Sequence, residues 1–179
     1  MPTNTTDFYL GNPNLKKVGA EIQFTKEQIS EYLKCKEDPV YFAMNYIKII
    51  SLDEGIVPFK MWDFQQELIE KFHKHRFNIA KLPRQTGKST TCVSYLLHYV
   101  LFNDNVNVGI LANKLSTARD LLGRLQLAYE QLPMWMQQGI ITYNKGSMEL
   151  ENGSKILAAS TSASAVRGMS FNIIFLDEF

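Results

Sequence analysis

Cysteine and histidine are scarce: two and three, respectively, in 179 residues. Cys35 and Cys92 lie far apart without a partner pattern, and His73, His75 and His98 add no ligand spacing to them. A disulfide scaffold and a zinc knuckle are both excluded, and no structural metal is expected. Charge of one sign is lacking too. The formal net charge is +1, so any grip on a polyanion such as DNA has to come from a local patch. Long apolar runs are missing as well. The longest, around Val93 to Phe102, is interrupted by His98 and is far too short to span a bilayer. The polar stretch from Met1 to Asn14 has neither the basic nor the apolar region of a signal peptide. The reading is a soluble protein of a reducing compartment.

What is present is a globular composition, with 45% hydrophobic residues and room for one domain with a sizeable core. Segment 1–24 reads as loosely ordered, staying loose or lying against the domain. Thr25 and Gln28 fit a capping box for a helix to about Lys36. Asp38-Pro39 is an N-cap with proline at the first helical position, so a second helix runs from Val40 to about Ile47. Residues 25–61 thus form a small helical subdomain, with an extended stretch at Ile49 to Phe59.

From residue 62 onward, helices and strands alternate. Trp62 to His73 has a helical face at Trp62, Leu68, Ile69 and Phe72. Phe77 to Leu82 reads as a short buried strand, and Lys88 to Phe102 as an apolar helix. Val106 to Ala112 is a second strand. Ser116 is placed to cap a helix reaching about Leu132, ahead of Pro133. Ser147–Glu151 and Ser154–Ala159 flank Asn152-Gly153, a strong hairpin signal. Asn172 to Leu176 is an apolar strand ending in Asp177-Glu178. This order predicts an α/β domain with a mainly parallel sheet.

The chemistry concentrates in two places. Leu82-Pro83-Arg84-Gln85-Thr86-Gly87-Lys88-Ser89-Thr90 sits between a predicted strand and a predicted helix, where a phosphate-binding loop belongs. A triphosphate needs close backbone N–H donors, a cation on its outer phosphates and a hydroxyl on Mg²⁺. Gly87 lets the backbone approach, Lys88 supplies the cation and Ser89 the hydroxyl. The usual pattern has glycine five positions before Gly87, where this chain has Leu82. The second place is the acidic strand tip: Asp177 suits Mg²⁺ held through water, and Glu178 suits orientation of an attacking water. Each motif alone also fits a plain helix start or a solvated turn. Together they point to ATP hydrolysis with Mg²⁺.

With their flanks, these motifs resemble the ATPase domain of the large terminase subunit of tailed bacteriophages. The resemblance rests on Asp38-Pro39-Val40-Tyr41-Phe42 with Asn45-Tyr46, on Asp63-Phe64-Gln65 and on Arg84-Gln85-Thr86-Gly87-Lys88. It also includes Asn144-Lys145-Gly146-Ser147, Asn152-Gly153-Ser154 and Ala165-Val166-Arg167-Gly168. An arginine at 84 without the leading glycine is typical of that family's loop. The resemblance implies a P-loop NTPase of the RecA-like (ASCE) type over 62–179, hydrolysing ATP to move double-stranded viral DNA into a procapsid. It further implies a portal protein and a small terminase subunit as partners, a homo-oligomeric ring, and the cytoplasm of an infected bacterium. Gln65 matches a glutamine that reads the adenine edge. Arg84 matches a γ-phosphate contact in cis, and Arg167 an arginine that reaches a neighbouring subunit's nucleotide. Gln85, Thr86 and Thr90 complete the expected nucleotide contacts.

The chain ends one residue after Glu178. Domains of this class continue with further strands, one of them beside the P-loop strand, and terminases continue with an RNase H-like nuclease domain. An incomplete core is therefore expected. The rival readings are a two-domain helicase, whose acidic pair is normally followed by Ala rather than Phe179, and a nucleotide-binding or assembly fragment without turnover. The cluster Lys71, Lys74, Arg76 and Lys81 reads as a solvated face, and Cys92, His98 and Trp135 as core or edge residues.

Overall fold

A computed structural model of the chain describes residues 7–51, 53–162 and 168–177. The helical part forms where capping chemistry demands it. Thr25 accepts from the Gln28 amide at 3.2 Å while Gln28 Oε1 accepts from the Thr25 amide at 3.0 Å, starting α1 (Lys26–Glu37). Asp38 Oδ1 accepts from the amides of Val40 and Tyr41, both at 2.9 Å, and starts α2 (Pro39–Tyr46). The extended stretch that follows is an antiparallel pair, β1 (Lys48–Ser51) and β2 (Gly55–Pro58). It leads into α3 (Asp63–Lys74).

α4 (Lys88–Phe102) is the central helix. From Thr91 to Phe102 only Tyr99 is not fully buried, because α2, α3, α5 and the sheet surround it. A helix apolar on nearly every side has to be enclosed in this way. α5 (Leu115–Glu130) lies on the sheet through Ala118, Leu121, Leu122 and Leu125. Its N-cap is Lys114, without a side-chain cap, and the helix begins ahead of the expected cap at Ser116. Packing of the apolar face, rather than a hydroxyl cap, sets that start.

The five-stranded sheet has the order β4-β5-β6-β3-β7. Its members are β3 (Asn107–Ala112), β4 (Ile140–Tyr143), β5 (Ser147–Leu150), β6 (Lys155–Ser160) and β7 (Ile173–Asp177). β3 pairs parallel with both β6 and β7. β5 pairs antiparallel with β4 and β6. The sheet is therefore mixed, with the expected parallel part at β6-β3-β7. The Asn152-Gly153 turn joins β5 to β6, and Gly153 takes the left-handed φ of 79° that such a turn requires. No membrane-length apolar helix occurs among the described residues.

One expectation needs correction, and one open alternative is decided for the described part of the N-terminal segment. Phe77–Leu82 is not a strand: it has no ladder, and Phe77 and Ile79 are 84% and 92% exposed. Apolar alternation specifies a strand only where a neighbour offers backbone partners, and none of the described strands lies beside this segment. The N-terminal segment, for its part, lies against the domain. Leu15 is buried, the Ile140 amide donates to the Lys16 carbonyl at 2.9 Å, and Lys17 bridges in parallel to Ile140 on β4.

Candidate nucleotide site

The site is built around the N-terminus of α4. Gly87 is the N-cap, with φ 72° and no side-chain cap of its own. The first helical bond runs from the Thr91 amide to the Gly87 carbonyl at 3.0 Å, reinforced by the Thr91 hydroxyl at 3.1 Å. The amides of Lys88, Ser89 and Thr90 are therefore first-turn donors with no acceptor within the helix. An uncapped first turn of this kind, with a lysine at its head, fits an anionic phosphate group.

The loop before it is tightly wound. The Thr86 hydroxyl donates to the Pro83 carbonyl at 3.0 Å, and Gln85 sits at φ 63°. A glutamine in the left-handed region costs about 1 kcal/mol or more and needs surrounding structure to hold it. Arg84 and Gln85 are exposed, while Thr86, Gly87, Lys88, Ser89 and Thr90 are half-buried. Gln65, in the first turn of α3, reaches the loop: its Nε2 donates to the Thr86 carbonyl at 3.0 Å. A Cβ at Gly87 would lie 2.6 Å from that nitrogen, so a larger residue there would displace the Gln65 amide as well as strain the positive φ.

Asp177 ends β7 opposite Ala112 of β3. Its relation to the loop is read at Cys92, one helical turn after Lys88. Burial pushes the Cys92 thiol up to about 12; the Asp177 carboxylate acts in the same direction and the Lys88 ammonium against it. Both charges thus act on one buried side chain. Glu178 and Arg167 lie outside the described residues.

A family model described as "Terminase large subunit, T4likevirus-type, N-terminal" matches residues 79–179, more than half of the chain. The chain belongs to this family of large terminase subunits. Among solved structures, the large terminase of bacteriophage HK97 matches with a TM-score of 0.65 and 17% sequence identity, over 80% of this chain and 31% of that one. At that identity the likeness concerns the fold, and the chain spans about a third of the HK97 protein's length. It supports the α/β architecture, with its mixed sheet and flanking helices, as a fold shared with part of that large terminase.

Two features of this terminase site are not evident in a motif search. Cys92 reads as a core residue, although its spacing of four from Lys88 puts it on the same helix face. Thr91, whose hydroxyl secures the Gly87 carbonyl, has no motif of its own. The basic cluster is a solvated face in part: Lys71 and Lys74 form exposed ion pairs with Glu67 and Glu70, one turn away on α3.

Proposed function

We propose that this terminase chain carries the nucleotide site of an ATPase motor that moves double-stranded DNA into a viral procapsid. The observation that carries the proposal is the first turn of α4, opened by Gly87 at φ 72° and headed by Lys88, in a chain whose Asp177 ends the parallel strand β7. Bound Mg-ATP would supply the reactive γ-phosphoryl group and the divalent charge that neutralises it. The amides of the first turn of α4, with Gln85 and Thr86 before them, line the path of the phosphate chain. Lys88 places its ammonium on the outer phosphates. The Ser89 hydroxyl, with Thr90 beside it, and Asp177 acting through water would hold Mg²⁺. Glu178 would take the place next to the attacking water and polarise it.

By the family resemblance, Arg84, exposed in the loop, would meet the γ-phosphate in cis, and Arg167 would reach a neighbouring subunit's nucleotide. Either arrangement supplies charge where it builds during phosphoryl transfer. A homo-oligomeric ring, a portal protein, a small terminase subunit and the cytoplasm of an infected bacterium complete the packaging role, as the family implies.

Titration of the chain with Mg-ATP, followed by a phosphate-release assay, tests this reading. Saturable binding is expected, and Lys88→Ala should weaken it by roughly tenfold or more. Absence of binding, or binding indifferent to Lys88→Ala, would remove the proposal.

A further inference from the structure

The amide of Gln65 is unusual for a polar group at the start of a helix, because it is 6% exposed and committed at both ends. Its Oε1 accepts from the Trp62 amide at 3.0 Å and its Nε2 donates to the Thr86 carbonyl at 3.0 Å. The orientation is fixed by chemistry, since an N–H needs the oxygen and a C=O needs the nitrogen. The same nitrogen is the atom that a Cβ at Gly87 would strike.

The peptide that joins Thr86 to Gly87 is planar and trans, so its C=O and N–H point in opposite directions. Holding the Thr86 carbonyl toward α3 turns the Gly87 N–H away from α3. That amide immediately precedes the first-turn donors of α4. The segment that enters the loop, 77–82, offers no ladder to fix the peptide from the other side. We infer that Gln65 is a positioning residue of the phosphate loop: by holding the Thr86 carbonyl, it sets the direction of the Gly87 N–H for the phosphate chain. This differs from reading the adenine edge, because its effect does not depend on the base. It rests on the nucleotide-binding reading above.

The test compares affinities for Mg-ATP, Mg-GTP and inorganic tripolyphosphate in the wild type, Gln65→Met, Gln65→Glu and Lys88→Ala. Gln65→Met keeps the volume and loses both the donor to the Thr86 carbonyl and the acceptor for the Trp62 amide. Gln65→Glu keeps an acceptor for the Trp62 amide but sets an oxygen against the Thr86 carbonyl. Both should weaken all three ligands by one common factor, roughly tenfold for Met and more for Glu. The ligand-free melting temperature should fall by a few degrees for Gln65→Met, as expected for the loss of two hydrogen bonds. The Gly87 amide ¹⁵N resonance should move in Gln65→Met before any ligand is added, a signature that general loosening of α3 would not confine to the loop. Loss of ATP affinity with GTP and tripolyphosphate unchanged would overturn the inference in favour of adenine reading and leave the nucleotide site standing. Unchanged affinity for all three, or an unmoved Gly87 resonance, would overturn it too. Indifference to Lys88→Ala would instead remove the nucleotide reading itself.

Discussion

Two regions of the molecule are built differently: the packed sheet from β4 to β3, and β7 together with the stretch 77–82, which joins no strand. At β4, β5, β6 and β3, apolar side chains such as Met148, Leu150, Ile156 and Ile110 are buried under α4, α5 and the N-terminal segment. At β7 and the stretch leading into the phosphate loop, comparable side chains face outward: Ile174 is 51% exposed, and Phe77 and Ile79 are more exposed still. The region that carries the candidate site is thus tied in part by directed hydrogen bonds, the Gln65–Thr86 bond among them, and the other region by packing. Packing gives stability without reference to any ligand. A loop held by single hydrogen bonds can adapt to one.

The comparison is most open to attack in the packed side. Leu122 of α5 is fully buried between helix and sheet. Leu122→Ala should cost about 3 kcal/mol, in the range for a buried leucine that leaves a cavity. Urea unfolding followed by far-UV circular dichroism measures it. A cost below about 1 kcal/mol would mean that this side is less tightly built than its burial implies.

The same side contains a pH-dependent element. His98, in the middle of α4, is buried among Phe42, Tyr95 and Phe102, and its Nε2 lies 2.8 Å from the Cys35 carbonyl. Burial is the main cause that pushes its pKa down from 6.5 to about 4, with His73 adding to it and the Cys35 carbonyl opposing. The unfolded chain binds this proton more readily than the folded one. Stability is therefore full above the unfolded value and falls as pH drops from about 6.5 toward 4. Between pH 7.5 and 5 this group should remove about 2 kcal/mol. His98→Phe should flatten that part of the stability-versus-pH curve, and an unchanged slope would assign the acid sensitivity elsewhere.

Legibility in the sequence followed the same division. Helix starts at Thr25 and Asp38 and the Asn152-Gly153 turn were readable because each depends on a few adjacent residues. The start of α4 was readable because Gly87 and Lys88 mark it. Phe77–Leu82 misled, because a strand's existence depends on a distant partner that no local pattern encodes. β4 was missed: Ile140–Tyr143 is short, and its place is set by β5 and by the chain near Lys16, far off in sequence. In the candidate site, the residue types at Lys88, Ser89 and Asp177 were what pointed to nucleotide chemistry. The bond from Gln65 to Thr86 did not, since it joins two elements whose relative placement only the fold determines.

A smaller effect is expected where the N-terminal segment meets the sheet. The Glu151 carboxylate accepts from the amides of Gly139 at 2.7 Å and Gly19 at 3.1 Å, and pairs with Lys16 at 3.2 Å. Burial alone would raise its pKa, but these amides and the Lys16 ammonium outweigh it and leave the carboxyl below its usual range. Its contribution is present above the ordinary glutamate range and is lost as pH falls through the depressed value. Glu151→Gln removes the charge while keeping the shape, and should cost about 1 kcal/mol. Limited trypsin digestion should then cut sooner after Lys16 or Lys17; unaltered cleavage would show that the segment is held mainly by Leu15.

The smallest effect should fall on the sparse side. Ile79 makes no ladder and is almost wholly exposed, so Ile79→Ser removes little buried area and should change stability by less than about 0.5 kcal/mol. Phe77→Ser should behave alike apart from its loose contact with Arg76. Denaturant midpoints compared with Leu122→Ala in the same buffer give the ratio directly. A cost above about 1.5 kcal/mol at Ile79 would mean that this side chain is covered in solution. The entry to the phosphate loop would then be held by packing as well, and the contrast between the two regions would disappear. A neutral result leaves the hydrogen bond from Gln65 to the Thr86 carbonyl as a tie between this loop and the chain upstream of α4 that does not depend on Ile79.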